Sequence, residues 1–316
     1  MIRQTAADQT IRQTTLGNKV SCSGIGLHSG SQVEMAIYPA SANTGIIFKR
    51  LDVPLEHAFV PAHFDAVCES RLGTTIRNRH GVTVATIEHL MAALWGCGID
   101  NAVIELDGPE VPIMDGSSEP FVFMLECAGV VKMSAPRRIL RVLKAVEVRD
   151  GDSVARIEPN VDGDEGCVMS IEIEFDNKMI KRQASHYNFR EVTFKQSLSR
   201  ARTFGFEHEV TAMREMGLAL GGSLDNAVVV GKDRILNEDG LRYVDEFVRH
   251  KALDCIGDLY LAGCRIDAHF TFVRPGHAIN NMLLRALFAD ESAYVIEQSG
   301  TMEPVYPLAP HVPVYA

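Results

Sequence analysis

The stretch VRHKALDCIGDLYLAGCRIDAHFTFV, residues 248–273, passes from a helical pattern of apolar side chains to an alternating one. Apolar residues three and four apart predict a helix over about 241–262, and Gly263 ends it. The alternation that follows predicts a strand. The same order occurs in EHLMAALWGCGIDNAVIEL, residues 88–106, where GCGID stands in place of GCRID. The two stretches therefore indicate a weak internal duplication of an α+β unit.

The rest of the sequence fits two such units in tandem. Further helices are predicted over 83–98, 119–127 and about 278–289. Strands are predicted over 31–38, 45–50, 101–108 and 168–176, and a hairpin over 138–159 that turns at Asp150-Gly151. We expect an N-terminal α+β domain over 11–133, a C-terminal α+β domain over 136–295 and a tail over 296–316. Tandem halves commonly place a site in the crevice between them, so the active site is expected there.

Composition argues against several classes of partner. The 316 residues carry 41 acidic against 31 basic side chains, a formal net charge of −10, and no long Lys/Arg run. This balance argues against nucleic acid and anionic membranes as main partners. No stretch approaches the roughly 20 apolar residues of a membrane helix, and the first ten residues lack the apolar core of a signal peptide.

The seven cysteines are widely spaced and include no C-x-x-C pair. This pattern is typical neither of a disulfide framework nor of a cysteine zinc knuckle. We therefore expect a protein of the reducing cytoplasm.

One polar stripe stands out on the long C-terminal helix. His250, Asp254 and Asp258 lie four residues apart, so they share one face. Most of the remaining circumference is apolar, which predicts a buried helix, and buried carboxylates need a cation or hydrogen-bond donors. Metal ligation by His250 and Asp254, with Zn²⁺ as a suitable ion, is one interpretation of the stripe. A network of ion pairs without a metal is the other.

A catalytic zinc requires a third protein ligand and an open position for water. The candidate is Glu88-His89, on the helix that precedes GCGID in the first half. Adjacent helical residues point about 100° apart, so one can bind the metal while the other reaches its water. This assigns His89 as ligand and Glu88 as general base. H-E-x-x-H is absent, and a Glu-His pair alone is a weak signal.

His277, in RPGHAINN, follows a Pro-Gly turn and begins a helical pattern. A carboxylate partner such as Asp258 would raise its pKa and keep it cationic. Such a histidine can stabilise an oxyanion and protonate a leaving amine, although a capping or surface histidine fits the sequence equally well. GIGLHSG (24–30) and LGGS (220–223) are interpreted as turns, and His28 in the first is a possible ligand contact.

Six motifs taken together add a further interpretation: GIGLHSG, TIEHLMAAL, PIMDGSSEPFV, SRARTFGF, VRHKALDCIGDL and PGHAINN. In this order they resemble the family of UDP-3-O-acyl-N-acetylglucosamine deacetylases, zinc enzymes of lipid A synthesis. The resemblance covers about residues 11–290. It implies two tandem domains, each a two-layer α/β sandwich, with helices that meet at the active site between them. It also implies hydrolysis of the sugar's N-acetyl group, giving the free amine and acetate.

The resemblance assigns roles residue by residue. One zinc ion per chain, with Fe²⁺ as an alternative, would be held by His89, His250 and Asp254. The catalytic residues would be Glu88 as base, His277 with its partner Asp258, and Thr203 at the oxyanion. The substrate-binding residues would be His28, Phe204 and Lys251 near the sugar and nucleotide, and Leu218, Ala219, Gly222 and Ser223 along the acyl chain.

One departure concerns Gly73, which occupies a position where some family members carry a cysteine near the metal. The resemblance therefore does not extend to a second, inhibitory zinc ion bound through that thiol. We expect a cytoplasmic monomer acting on an acylated UDP-amino sugar, with no further catalytic domain after residue 316. Two alternatives stay open: a zinc amidohydrolase for a peptide or another sugar, and a non-catalytic scaffold in which the stripe forms only ion pairs.

Overall fold

A computed structural model describes residues 11–161, 166–189 and 193–299. The helices are α1 (Glu88–Cys97), α2 (Glu119–Ala128), α3 (Phe194–Ser197), α4 (Glu207–Glu215), α5 (Glu246–Leu259) and α6 (His277–Ala289). The first strands are β1 (Arg12–Leu16), β2 (Val20–Ile25), β3 (Gln32–Pro39), β4 (Ile46–Arg50), β5 (Phe59–Pro61), β6 (Val67–Glu69), β7 (Thr75–Arg77), β8 (Thr83–Val84), β9 (Ala102–Leu106) and β10 (Val130–Pro136). The later strands are β11 (Arg138–Val142), β12 (Val146–Asp150), β13 (Ser153–Glu158), β14 (Cys167–Glu174), β15 (Arg182–Asn188), β16 (Phe204–Phe206), β17 (Val228–Val230), β18 (Arg265–Val273) and β19 (Tyr294–Gln298).

A five-stranded sheet forms the centre of the first half, in the order β2-β3-β9-β4-β5. Strand β3 alternates as its sequence predicts, with Val33, Met35 and Ile37 buried. The pairs are antiparallel except β4 with β9, which run parallel. The strands predicted over 31–38, 45–50 and 101–108 are therefore confirmed.

A seven-stranded sheet forms the centre of the second half, with β18 inside it. The inward side chains of β18 are Ile266, Ala268, Phe270 and Phe272. Strand β11 pairs with the beginning of β18, while β13 and β14 pair with its later residues. The predicted hairpin over 138–159 is wrong in its first strand. The turn at Asp150-Gly151 joins β12 to β13, whereas β11 pairs with β18 and β19.

Helices α1 and α5 pack against each other and carry buried side chains around most of their circumference. The predicted starts differ from the structure at both. Helix α1 begins at Glu88 rather than near residue 83, because Thr86 has a left-handed backbone with φ of 56°. Helix α5 begins at Glu246, continues as a 3₁₀ turn over Tyr260–Ala262, and ends at Gly263, whose φ is 77°.

The segment that joins the halves is itself a strand. β10 pairs with β1 in a separate two-stranded sheet, so the expected join near 133–136 lies in ordered structure. Strand β19 crosses the expected boundary at residue 295. The sheets and helices together make an α+β fold, and the division into two domains stays a prediction. The tail beyond residue 299 lies outside the described residues. Within the described ranges, no helix has the length and apolar character to cross a membrane.

Candidate active site

Three buried side chains converge where α1 meets α5. His89 lies in the first turn of α1, and His250 and Asp254 lie one turn apart on α5. The Oδ1 atom of Asp254 is 3.3 Å from Nε2 of His250 and 3.6 Å from Nε2 of His89. One potential ligand atom from each residue falls within 4.8 Å of the others. The sequence-predicted ligand set is therefore brought together by the fold.

Gly257 allows the two helices to come this close. A Cβ atom at residue 257 would lie closer than 3.0 Å to the backbone carbonyl of Glu88, a distance that real Cβ atoms essentially never show. The bare backbone of α5 thus contacts the first turn of α1. This contact sets the separation of His89 from the two ligand candidates on α5.

The chemistry of the three side chains fits a divalent metal ion. Nδ1 of His250 contacts the carbonyl oxygen of Ala201 at 3.1 Å, so that nitrogen carries the proton and Nε2 keeps its lone pair. Burial lowers the pKa of His250 to about 4, which makes the ring neutral near pH 7. The Oδ1 atom of Asp254 is buried and has no hydrogen-bond partner among the described residues. A bound cation would satisfy that oxygen, which is costly to bury alone.

Glu88 precedes the first of these residues and faces the same space. Its Oε2 atom accepts a hydrogen bond of 3.0 Å from the backbone N–H of Thr74. Its Oε1 atom lies 3.8 Å from Nε2 of His277. Burial raises the pKa of Glu88, so this carboxylate is a stronger base than an exposed glutamate.

His277 begins α6 and is held by Asp258. Its Nδ1 atom lies 2.8 Å from Oδ2 of Asp258, which also accepts from the side chain of Asn280 at 2.8 Å. The hydroxyl of Thr74 donates to the other oxygen at 2.6 Å. Burial alone would lower the pKa of His277, but the carboxylates of Asp258 and Glu88 raise it to about 9. The histidine is therefore cationic at neutral pH.

A cavity of about 420 Å³ opens onto these groups. Its wall also includes Thr203, Phe204 and Lys251, as expected for residues near a ligand. Nζ of Lys251 is 3.1 Å from Oδ2 of Asp254 and 5.8 Å from the centre of the Phe204 ring. The cationic amine thus lies between the ligand candidates and an aromatic surface.

A second cavity of about 430 Å³ adjoins the first. The two share four wall residues: Leu27, Leu72, Thr203 and Phe204. Nine of the sixteen side chains in the second wall are apolar: the shared Leu27, Leu72 and Phe204, and Val210, Met213, Ala219, Leu224, Ala227 and Val229. A polar site and an apolar groove are therefore continuous.

The predicted acyl-chain residues are distributed unevenly around this groove. Ala219, Gly222 and Ser223 line it, whereas Leu218 is half-buried beside them and does not contribute to the wall. His28 also lines the groove, and both of its ring nitrogens are buried without a partner in the described part of the chain.

Comparison with known proteins places this arrangement in a family. A family model described as LpxC, UDP-3-O-acyl N-acetylglycosamine deacetylase, matches residues 13–289. The chain belongs to this family. The resemblance predicted from the six motifs is thereby confirmed.

Relatives within this deacetylase family match most of the chain. A protein of Acidithiobacillus ferrooxidans named UDP-3-O-acyl-N-acetylglucosamine deacetylase is 50% identical over 286 residues, covering 90% of this chain and 92% of the relative. Relatives of the same name from Xanthomonas oryzae pv. oryzae and Stenotrophomonas maltophilia are 48% and 49% identical. Their matches cover 96% and 90% of this chain, and 99% and 92% of the relatives.

Gly73, the position at which the family resemblance predicted a departure, lies beside the site. A Cβ atom at residue 73 would be 2.9 Å from Oε1 of Glu88, so a larger side chain there would contact the carboxylate. Because residue 73 is glycine, no side chain from this position contacts the Glu88 carboxylate. Position 73 is therefore adjacent to the proposed general base.

Sequence reasoning missed three residues that support this deacetylase-family site. Thr74 bonds both Glu88 and Asp258, and Glu110 bonds the segments that carry His28 and Thr86. Neither has a spacing that marks it, because each contact joins distant parts of the chain. Asn280 was within reach of the sequence, since it lies three residues after His277 on one helical face.

Proposed function

We propose that the chain is a metal-dependent deacetylase that hydrolyses the N-acetyl group of UDP-3-O-(3-hydroxyacyl)-N-acetylglucosamine in lipid A biosynthesis. The observation that carries the proposal is the His89–His250–Asp254 cluster beside Glu88 and His277, at a cavity continuous with an apolar groove. The names of the relatives supply the substrate. The products are the free amine and acetate.

His89, His250 and Asp254 would hold one divalent ion. Zn²⁺ suits two imidazoles and a carboxylate, and Fe²⁺ is the alternative. When bound, such an ion supplies Lewis acidity that lowers the pKa of water and polarises the amide carbonyl. The Lys251 amine keeps Asp254 ionised, and the Ala201 carbonyl keeps the His250 ring oriented.

Glu88 would accept a proton from the attacking water. Its carboxylate lies next to the ligand His89, and its burial favours proton uptake as the reaction proceeds. The negative charge that develops on the amide oxygen would face Thr203 and the cationic His277. Protonated His277 would then donate to the departing glucosamine nitrogen, with Asp258 stabilising the charged ring.

The substrate would extend from the polar cavity into the apolar groove. His28, Phe204 and Lys251 would contact the sugar and nucleotide. The acyl chain would lie along Ala219, Gly222 and Ser223, with Leu218 behind them. Burial of the chain adds at most about 0.8 kcal/mol per methylene group, which explains selection of a lipid-like substrate.

We further propose a monomer that works in the cytoplasm. All seven cysteines are free thiols, which suits a reducing compartment. A nucleotide-linked substrate is also a metabolite of that compartment.

Acetate release from the acylated UDP-sugar, measured before and after chelation and after return of Zn²⁺, tests the proposal. Activity should disappear with the metal, return with it, and be far lower on UDP-N-acetylglucosamine without an acyl chain. Ala227→Phe, in the groove wall, should raise KM for the acylated substrate at least about tenfold. The matched exposed variant Ala212→Phe should not. Full activity in the metal-free protein, or equal activity on both substrates, would reject it.

A further inference from the structure

Thr86 has a backbone conformation that β-branched residues rarely adopt. Its φ is 56°, in the left-handed region, and its side chain is buried. A β-branched residue is strained there, so neighbouring contacts must hold it in place. The residue stands just before Ile87, Glu88 and His89, and it lines the polar cavity. Its conformation therefore fixes the direction in which α1 starts.

The contact that holds Thr86 comes from a buried carboxylate. Oε1 of Glu110 accepts a hydrogen bond of 2.9 Å from the Thr86 hydroxyl. The backbones run side by side at this point: Ala85 donates to Pro109 at 2.8 Å, and Val111 donates to Ala85 at 3.0 Å. The segment 109–111 is thus hydrogen-bonded to the backbone that leads into α1.

The same carboxylate anchors the loop that carries His28. Oε1 of Glu110 accepts from the backbone N–H of His28, and Oε2 accepts from that of Ser29, both at 2.9 Å. Gly26 makes room for it, because a Cβ atom there would lie closer than 3.0 Å to Oε2 of Glu110. Three donors from two segments therefore converge on one side chain.

The loop in turn supports the wall of the apolar groove. The carbonyl of Leu27 accepts from Gly221 at 3.0 Å, and that of His28 accepts from Leu220 at 3.2 Å. Residues 219–223 adjoin the groove, where Ala219, Gly222 and Ser223 line it. Glu110 is thus hydrogen-bonded directly to the residue that precedes α1. It is linked to the groove wall indirectly, through the loop that carries His28.

We propose that Glu110 is a positioning residue for both parts of the site. Through Thr86 it fixes the positions of Glu88 and His89. Through the 26–29 loop it fixes the positions of His28 and the groove wall. Glu110 lines neither cavity, so it acts through other residues. The assignment of its effects to kcat and KM rests on the proposed function.

Paired variants at Thr86 separate this role from a general structural one. Thr86→Val keeps the shape but loses the bond to Glu110, and it should lower kcat at least about tenfold and weaken Zn²⁺ binding. Thr86→Gly loses the same bond, yet glycine adopts positive φ without strain, so both losses should be several-fold smaller. If Thr86 served only to stabilise the fold, Thr86→Gly should lose more kcat and Zn²⁺ affinity than Thr86→Val, because glycine also removes the packing of the side chain.

The variant Glu110→Ala extends the test to the loop. It should lower kcat and raise KM, and adding Thr86→Gly should recover kcat while KM stays raised. Glu105→Ala, which removes a half-buried carboxylate paired with Lys49, is the control and should change neither constant. Should Glu110→Ala fail to fold, the Thr86 pair decides alone.

Zn²⁺ affinity, measured by competition with a chelator, gives a readout that does not need turnover. If wild-type protein binds Zn²⁺ but does not deacetylate, the proposed function fails. The order of Zn²⁺ affinities in the two Thr86 variants then still tests the role of Glu110. If Thr86→Val matches wild type in metal affinity and kcat, or Thr86→Gly is worse than Thr86→Val, the role of Glu110 is overturned.

Discussion

Asp258 and His277 form a buried pair in which Oδ2 of the carboxylate lies 2.8 Å from Nδ1 of the ring. Thr74 and Asn280 also donate to this carboxylate, so its orientation is fixed from three directions. The ring nitrogen that remains, Nε2, points toward Glu88. The cationic ring of His277 thus lies between two carboxylates, one at each nitrogen, and loss of its charge should be visible in the pH dependence of the reaction.

The pH profile should fall on its basic side as His277 loses its proton. The pKa of His277 is raised to about 9, so its active, protonated form is complete below that pH and is lost above it. Asp258→Asn removes a carboxylate that raises this pKa, so the basic limb of kcat/KM should move to lower pH. An unchanged limb in Asp258→Asn would show that another group controls it.

Metal content should separate ligands from proton-transfer residues. His250→Ala removes a predicted ligand and should yield protein with little bound zinc. His277→Ala should retain zinc near the wild-type level while kcat falls about 10²–10⁴-fold, the range for loss of a general acid. Metal analysis and initial rates on the same preparations test both expectations, and loss of zinc from His277→Ala would mean that the roles are misassigned.

Gly257→Ala should damage the site without touching a ligand. The added methyl group would collide with the Glu88 carbonyl, so α1 and α5 must separate and His89 must move from Asp254. We expect weaker Zn²⁺ binding and a drop in kcat of about tenfold or more. Ala252→Gly, at a buried position of the same helix, serves as a control for altered helix propensity. Wild-type metal affinity in Gly257→Ala would contradict the close-approach role.

The buried ion pair between Arg202 and Glu246 should dominate local stability. Nε of Arg202 lies 2.9 Å from Oε1 of Glu246, which also accepts from the backbone N–H of Arg202. The backbone N–H of Arg242 donates to the other oxygen of Glu246. Glu246→Ala leaves the buried guanidinium of Arg202 without its carboxylate partner and should lower the free energy of unfolding by about 3–5 kcal/mol. The apolar double variant Arg202→Met/Glu246→Leu should lower the free energy of unfolding by less. Urea denaturation of both variants measures the difference. A smaller loss in Glu246→Ala than in the double variant would refute this.

The sequence predicted the elements whose patterns are local. The alternation in β3 and the apolar circumference of α5 follow directly from burial, and both were confirmed. The early start expected for α1 was wrong because propensity does not reveal the strained turn at Thr86. The first strand of the expected hairpin was wrong because β11 finds partners in β18 and β19, far along the chain.

The site shows the same division between local and distant contacts. The stripe of His250, Asp254 and Asp258 could be found from spacing alone. The meeting of that stripe with His89 depends on helix packing across the two halves; the Glu88-His89 pair gave only a weak signal for it, which the family resemblance strengthened. Thr74 and Glu110 escaped prediction because their partners lie far away in the sequence.

The packing of α1 against α5 also constrains when the centre can first exist. One ligand candidate belongs to an early helix and the other two to a late one. A ribosome must synthesise the chain beyond Asp254 before the three side chains can meet. Loading of the proposed metal would therefore be a late event in biogenesis, because nascent fragments that end before residue 250 contain only one imidazole of the trio, that of His89.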